Sequence, residues 1–327
     1  MNLPDRPSAS WRWFKMRCLV TGATGHLGAF LTRHLLGMGF EVAVLVRPQS
    51  DLWRLSDVLG SITLLYGALG DLDGIRKPLH EWHPEVTFHL AWQGVSGDHR
   101  NESTQITQNV AGTLELFEFV QTAGCKAWIG VGSQAEYGLQ PEILREGLTP
   151  RPETAYGVAK LCTGLLTEKL CEIAGMRFVW IRLLAIYGPM DDPKHLLPWV
   201  ISRLLASERP ALTPGDQLWD YLYIDDAAEA IIQLAMEPAA SGIFNLGSGE
   251  AVSVRSVAEQ IRDTIDPALP LGFGDIPYRH DQVMHLQADI TKLSNATGWR
   301  PQVSLAEGLR RTIDWHRSLK TMPEQVQ

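Results

Sequence analysis

Residues 16–20 form a short apolar run that ends in Thr21-Gly22-Ala23-Thr24-Gly25-His26-Leu27-Gly28. Leu27, Phe30, Leu31, Leu35 and Met38 then recur at helical spacing, and Gly37 and Gly39 close the helix. Strand, glycine loop and helix in this order constrain the chain more than any other stretch. Gly22 permits a tight turn, Gly25 lets backbone come close to a pyrophosphate, and Gly28 lets the helix pack on the strand. The first turn of the helix offers unpaired amides to phosphate oxygens. The stretch therefore predicts a dinucleotide site to which Gly22, Thr24, Gly25, His26, Leu27 and Gly28 contribute.

The run 41–46 reads as a second strand and ends at Arg47-Pro48. An acidic residue here would hold the ribose hydroxyls of NAD, whereas an arginine accepts a 2′-phosphate and stacks on adenine. Arg47 thus favours NADP(H) over NAD(H). Further strand-like runs lie at 62–65, 86–90, 127–131 and 178–183, separated by helical patterns around Leu116 and Tyr156. Alternating strands and helices with apolar strands predict a parallel sheet covered on both faces. Ligands of such sheets sit at the C-terminal strand ends, where the glycine loop, Leu90-Ala91, Ser133 and Tyr187-Gly188-Pro189 are expected to converge.

Tyr156 and Lys160 lie four residues apart, in a segment 153–174 whose Leu161, Leu165, Leu166, Leu170 and Ile173 predict a helix with both side chains on one face. A cation beside a phenol favours the phenolate and lowers its pKa toward a working range. Ser133, just past the run 127–131, is placed to hydrogen-bond the oxygen on which the tyrosine acts. The three suit proton transfer at a carbonyl carbon.

Composition narrows the partners. A net charge of -8 gives no general attraction to nucleic acid or an anionic membrane. Cys18, Cys125, Cys162 and Cys171 lack metal-type pairing and suit reduced packing residues of a cytoplasmic protein, and no metal is expected. Residues 1–15 lack an apolar core of signal-peptide length, and no later run is long enough to span a bilayer.

The chain resembles the extended short-chain dehydrogenase/reductase family of NAD(P)-dependent sugar-nucleotide epimerases, dehydratases and reductases. The resemblance is carried by the 21–28 loop, Gly70-Asp71-Leu72, His89-Leu90-Ala91, Asn109-Val110-Ala111-Gly112-Thr113, Ser133, Tyr156 with Lys160, Tyr187-Gly188-Pro189, the 220–226 stretch and Phe244-Asn245-Leu246-Gly247. It implies a Rossmann-type doubly wound α/β sheet with a smaller α/β substrate-binding lobe. Residues 16–188 with about 220–238 would form the NAD(P)-binding domain, 189–219 and 239–327 the lobe, and 1–15 an extension. It also implies Tyr156 as proton donor or acceptor, Lys160 on the nicotinamide ribose, and Ser133 on the reacting oxygen. Asp71 and Leu72 would lie beside the adenine, Leu90 and Ala91 near the phosphates, and Asn109 would act as an anchor near the cofactor. Arg279 of Pro277-Tyr278-Arg279-His280-Asp281 would clamp a substrate diphosphate, and a homodimer through the helices 109–120 and 153–174 is expected.

The departures from that pattern bear on the reaction. Dehydratases of the family place Asp-Glu directly after the hydroxyl residue, but here Gln134 and Ala135 follow Ser133, and an amide cannot protonate a leaving group. Ala185 and Trp219 stand where an asparagine and an arginine are common, so Arg279, Lys194, His195 or Arg203 would have to compensate, while Trp219 could stack on a base. The expected activity is reduction of a keto group on a nucleotide-activated, deoxy-type sugar. An epimerase of the same family is the alternative. A cofactor-sensing or scaffold protein without turnover is a third reading, against which Ser133, Tyr156 and Lys160 argue.

Overall fold

The computed structural model describes residues 16–95, 97–140, 143–279 and 282–321. The 1–15 extension, His280 and Asp281 of the tail motif, and residues 322–327 of the expected lobe lie outside the described residues.

The first half alternates as the apolar runs predict. It comprises β1 (Arg17–Thr21), α1 (His26–Gly37), β2 (Glu41–Val46), β3 (Thr63–Tyr66), α2 (Arg76–Trp82), β4 (Val86–His89), α3 (Ala111–Thr122), β5 (Ala127–Val131), α4 (Ala155–Ala174) and β6 (Arg177–Leu183). The second half adds β7 (Ala185–Tyr187), α5 (Leu196–Leu205), β8 (Ala211–Leu212), β9 (Leu218–Tyr223), α6 (Ile224–Met236), β10 (Gly242–Leu246), β11 (Ala251–Ser253), α7 (Val254–Ile265), β12 (Gly272–Phe273), β13 (His285–Leu286), α8 (Thr291–Thr297) and α9 (Leu305–Thr321).

A seven-stranded sheet in the order β10-β6-β5-β4-β1-β2-β3 is parallel at every pairing. Its strands are covered on both faces, which is why β1, β2 and β5 read as continuous apolar runs rather than alternating ones. Chain direction across the sheet reverses between β1 and β4, and such a switch point opens a crevice at the C-terminal strand ends. The fold is the expected doubly wound α/β type.

Three elements differ from the sequence reading. The strand expected over 178–183 does not carry Tyr187 on with it: residues 185–187 leave the large sheet as β7 and pair with β9 in a second, four-stranded sheet with β11 and β13. β10, within the stretch read from sequence as part of the lobe, closes the edge of the large sheet beside β6. On α4, the leucines that announced the helix do not form its core face. Leu165, Leu166 and Ile173 are exposed, and the buried face consists of Tyr156, Gly157, Ala159, Lys160, Thr163, Gly164, Thr167 and Cys171. Small residues are needed there because the helix passes close over Trp180: a Cβ on Gly164 would come within 2.9 Å of its ring. Among the described residues no helix is long and apolar enough to cross a membrane.

Candidate active site

The glycine turn is built by contact as much as by conformation. Gly22 has φ +72°, and a Cβ there would meet the Ala91 amide nitrogen at 2.7 Å. A Cβ on Gly28 would lie 2.2 Å from the Gly22 carbonyl oxygen, so only glycine lets α1 start this close to β1. Gly25 caps the helix with no side-chain bond, leaving the first-turn amides to a ligand. The turn is stitched to β4 by Thr21, whose hydroxyl oxygen accepts from the Ala91 amide (3.1 Å) and pairs with His89 Nδ1 (3.0 Å). His89 Nε2 pairs with Thr113 (2.9 Å). Burial first, and the Lys160 charge second, push the His89 pKa down to about 3, so it is a neutral strut and not a proton carrier.

A cavity of about 600 Å³ follows this seam, lined by Gly22, Thr24, Gly25, Arg47, Leu90 and Ala91 and continuing past Trp92 to His99 and Glu102. These residues fit a dinucleotide: an uncapped helix start for phosphate, backbone close enough to admit it, and length beyond it for the rest of the molecule. Gly67, Ala68 and Leu69 line the cavity just before Asp71 and Leu72; a tight turn pairs the Ala68 and Asp71 backbones, and the Leu72 side chain is buried. His26 and Leu27 open α1 and keep their backbone amides toward the turn, while the His26 ring is held by the Pro189 carbonyl (2.9 Å) and by Asp191 (3.3 Å) and the Leu27 side chain is core. Arg54 adds a second tie, from Met190 to Thr24. The 188–191 loop therefore still reaches the glycine turn although its strand has left the sheet.

Ser133 and Tyr156 hydrogen-bond to each other, and the cavity wall reaches this group through Trp92, which stands beside Tyr156 and has Lys160 Nζ 3.9 Å from its ring centre. Ser133 Oγ accepts from the Ala135 amide (3.1 Å), which leaves its O–H to donate. Behind it Glu136 accepts from the Ser133 amide (2.9 Å), from Trp180 Nε1 (3.0 Å) and from Arg182 Nε (2.8 Å) in a buried ion pair. A carboxylate so fully engaged is scaffold, not an acid for a leaving group. Gln134 is half-buried next to Ser133. Asn109 anchors Gln93 in both directions, accepting from its amide (2.9 Å) and donating to its carbonyl (3.0 Å).

The electrostatics differ from the simple expectation. Burial raises the Tyr156 phenol above its ordinary value, and the groups that work against burial are the Ser133 hydroxyl and Arg100, whose guanidinium lies 5.0 Å from the centre of the phenol ring. Lys160 is itself depressed to about 7 by burial, with Glu136 opposing. Its ammonium donates to the Val131 carbonyl (2.6 Å). Arg100 and Trp92 were missed from the sequence because each belongs to an irregular stretch with no period to read. The Trp92 ring stands edge-on to Tyr156 at 6.2 Å.

A second cavity of about 420 Å³ opens under α5 and is lined by Lys194, Trp199, Gln217, Trp219, Arg279 and Gln282 among others. Trp219 and Arg279 both line it. The Trp219 N–H is spent on the Val283 carbonyl (3.1 Å), leaving its ring to the cavity. Of the proposed compensating cations Lys194 lines it, whereas His195 pairs with Asp191 (2.8 Å) and Arg203 with Glu208.

Residues 18–247 match the family described as NAD dependent epimerase/dehydratase. A UDP-glucose 4-epimerase of Mycolicibacterium smegmatis is 28% identical, with 93% of this chain and 99% of that protein aligned. The structure of a UDP-glucose 4-epimerase from Thermotoga maritima with UDP-glucose superposes with a TM-score of 0.85 at 26% identity, covering 93% of this chain and 100% of that one. A Thermus thermophilus UDP-glucose 4-epimerase in complex with NAD gives 0.80 at 27% identity, with 92% and 99% covered.

The depressed Lys160 makes stability depend on pH in a definite sense. An unfolded lysine holds its proton up to about its ordinary 10.5 and the folded one only to about 7, so between these values the unfolded chain binds more protons. The burden of the buried charge is full below about pH 7 and is relieved as pH rises. The melting-temperature difference of Lys160→Met over the parent should therefore be most favourable to the variant near about pH 6 and decline toward about pH 10. A difference that stays flat across that range in calorimetry would contradict a charged, buried Lys160.

Proposed function

The chain belongs to the NAD dependent epimerase/dehydratase family, and from that premise we propose that it reduces a keto group on a nucleotide-linked sugar, with NADP(H) preferred over NAD(H). The observation that carries the reading is Arg47 on the cleft wall at the end of β2, with no carboxylate among the neighbouring lining residues Leu45, Val46 and Ser50. An arginine there suits a 2′-phosphate. Such a cofactor, once bound, supplies hydride to a carbonyl carbon. Tyr156 gives its proton to the carbonyl oxygen, Ser133 donates a hydrogen bond to that oxygen, and Lys160 holds the ribose hydroxyls and adds positive charge to the site. Glu136, locked by Arg182, supplies no acid for water loss, which weighs against dehydration. The second cavity takes the nucleotide end, with Arg279 and Lys194 toward the phosphates and the Trp219 ring toward the base.

Epimerisation is the second reading, favoured by the UDP-glucose 4-epimerases aligned over more than nine-tenths of this chain. The two differ in their balance of cofactor. Incubation with a nucleotide-linked keto-sugar should consume NADPH in proportion to product, and Tyr156→Phe should lower turnover by about 10²-fold or more while leaving cofactor affinity nearly unchanged. Interconversion of two sugar epimers with no net cofactor consumption would replace reduction by epimerisation, and full turnover in Tyr156→Phe would remove the phenol from either scheme.

Arg47→Asp should move the ratio of NADPH to NADH affinities toward NADH by about tenfold or more, since a carboxylate repels a 2′-phosphate and accepts from ribose hydroxyls. Equal ratios before and after substitution would show that Arg47 does not read the phosphate.

We also propose a homodimer in the cytoplasm, built on the outer face of α4. Val158, Leu165, Leu166 and Ile173 stand exposed there with Ile106 nearby in sequence to α3, an apolar stripe of the kind that a second copy covers. Sedimentation velocity should give a dimer for the parent chain and a monomer for Leu165→Glu; a parent chain that sediments as a monomer would rule this face out as a self-association surface.

A further inference from the structure

Lys160 is a deeply buried cation, at 3% exposed, and its surroundings raise the question of what keeps it charged. One N–H is taken by the Val131 carbonyl at 2.6 Å. The face of the Trp92 ring lies 3.9 Å from Nζ, close enough for the negative face of the indole to act on the ammonium directly. The indole is not free to drift. Its N–H donates to Gln105 Oε1 at 2.8 Å, and Gln105 in turn donates to the carbonyls of Gly94 (2.7 Å) and His99 (2.9 Å). Gln105 begins a π-helical turn over Gln105–Val110, an irregularity that often marks functional sites, and Asn109 in the same turn fixes Gln93 beside the indole.

We propose that Trp92 is a positioning residue for Lys160: its ring face stabilises the ammonium in an apolar site and holds it at the cleft, extending to higher pH the range over which the charged form serves the reaction. The inference rests on the reading of Lys160 as part of the active site.

The other groups around the ammonium do not replace this contribution. Glu136, on the turn after β5, is the counter-charge, but its oxygens are committed to Arg182, Trp180 and the Ser133 amide. His89 at the end of β4 is neutral. Tyr156, one turn earlier on α4, is protonated at neutral pH, and Arg100 over its ring adds like charge rather than opposite charge. Burial meanwhile pulls Lys160 down to about 7, where a modest stabilisation of the charged form changes its population several-fold.

The test reads the lysine itself. In protein carrying ¹³C at lysine Cε, the Lys160 resonance, assigned by its loss in Lys160→Arg, is titrated without cofactor or substrate. Trp92→Leu should move its midpoint to lower pH by about one unit, and Trp92→Phe, which keeps a ring face but loses the bond to Gln105, should recover most of the shift. Biosynthetic replacement of tryptophan by fluorotryptophans preserves shape while weakening the ring's negative face, and should lower the midpoint stepwise with the number of fluorines. An unchanged midpoint in the fluorinated series, or a shift in Trp92→Phe as large as in Trp92→Leu, overturns the proposal. If the lysine midpoint moves but the alkaline limb of the pH–rate profile does not, the role of Trp92 stands and the catalytic role given to Lys160 falls.

Discussion

The parallel pairing of β1 with β4 is carried past its last strand pair by the Leu90 amide on the Thr21 carbonyl and the Ala91 amide on the Thr21 hydroxyl, and these bonds hold the glycine turn against β4. The two strands flank the switch point of the sheet, so the turn stands at the mouth of the crevice. The spacing leaves no room for a Cβ on Gly22 against Ala91, nor for one on Gly28 against Gly22. His89 carries the constraint inward to Thr113 on α3, stacked on Trp128 at 5.0 Å. A neutral histidine suits this place because it can pair with a hydroxyl on each side without bringing a charge into the core.

A second rigid unit supports the chemical end of the cleft. Glu136, Arg182, Trp180 and the Ser133 amide form a closed set, and Tyr137 extends it through a hydrogen bond of 2.6 Å to Asn245 on β10. Removing one member of such a buried pair typically costs about 3–5 kcal/mol, because the partner is left charged and unpaired. Ser133 is thus held by groups that do not react. The same bonds commit the carboxylate three residues from the Ser133 hydroxyl to the scaffold, a role that depends on its partners and not on its position in the chain.

Much of this was legible in the sequence because it repeats or is punctuated. The glycine turn, the strands of the large sheet other than β10 and the four-residue spacing of Tyr156 and Lys160 all have a period or a glycine that announces them. What escaped lacks such a mark. Leu165, Leu166 and Ile173 gave α4 its helical signal, yet they mark the outer face, since hydrophobic spacing reports a helix without saying which side meets the core. The true core face reads as a run of small and polar residues, because Trp180 beneath it fills the space. The tight turn at 68–71, which brings Gly67, Ala68 and Leu69 to the cavity wall, likewise carries no period. The departure of residues 185–187 into the second sheet follows from pairing with β9, a partner more than thirty residues away that no local pattern reveals.

Trp92 and Arg100 bring these strands of reasoning together. Both come from the connection between β4 and α3, where Arg100 lies in a short 3-10 turn (Gly97–Asn101) and Gln105 and Asn109 tie the segment to the loop that carries Trp92. Parallel sheets place their loops at the cleft, so the residues most able to adjust the reacting groups are those least constrained by the fold's periodicity. In this chain a phenol raised by burial lies under an arginine, and an ammonium lowered by burial lies against an indole. In each case the scaffold withdraws a group from water and a loop side chain offsets part of the cost. The fold thus keeps Tyr156 and Lys160 buried on α4 while the side chains packed against their rings and charge come from outside the sheet.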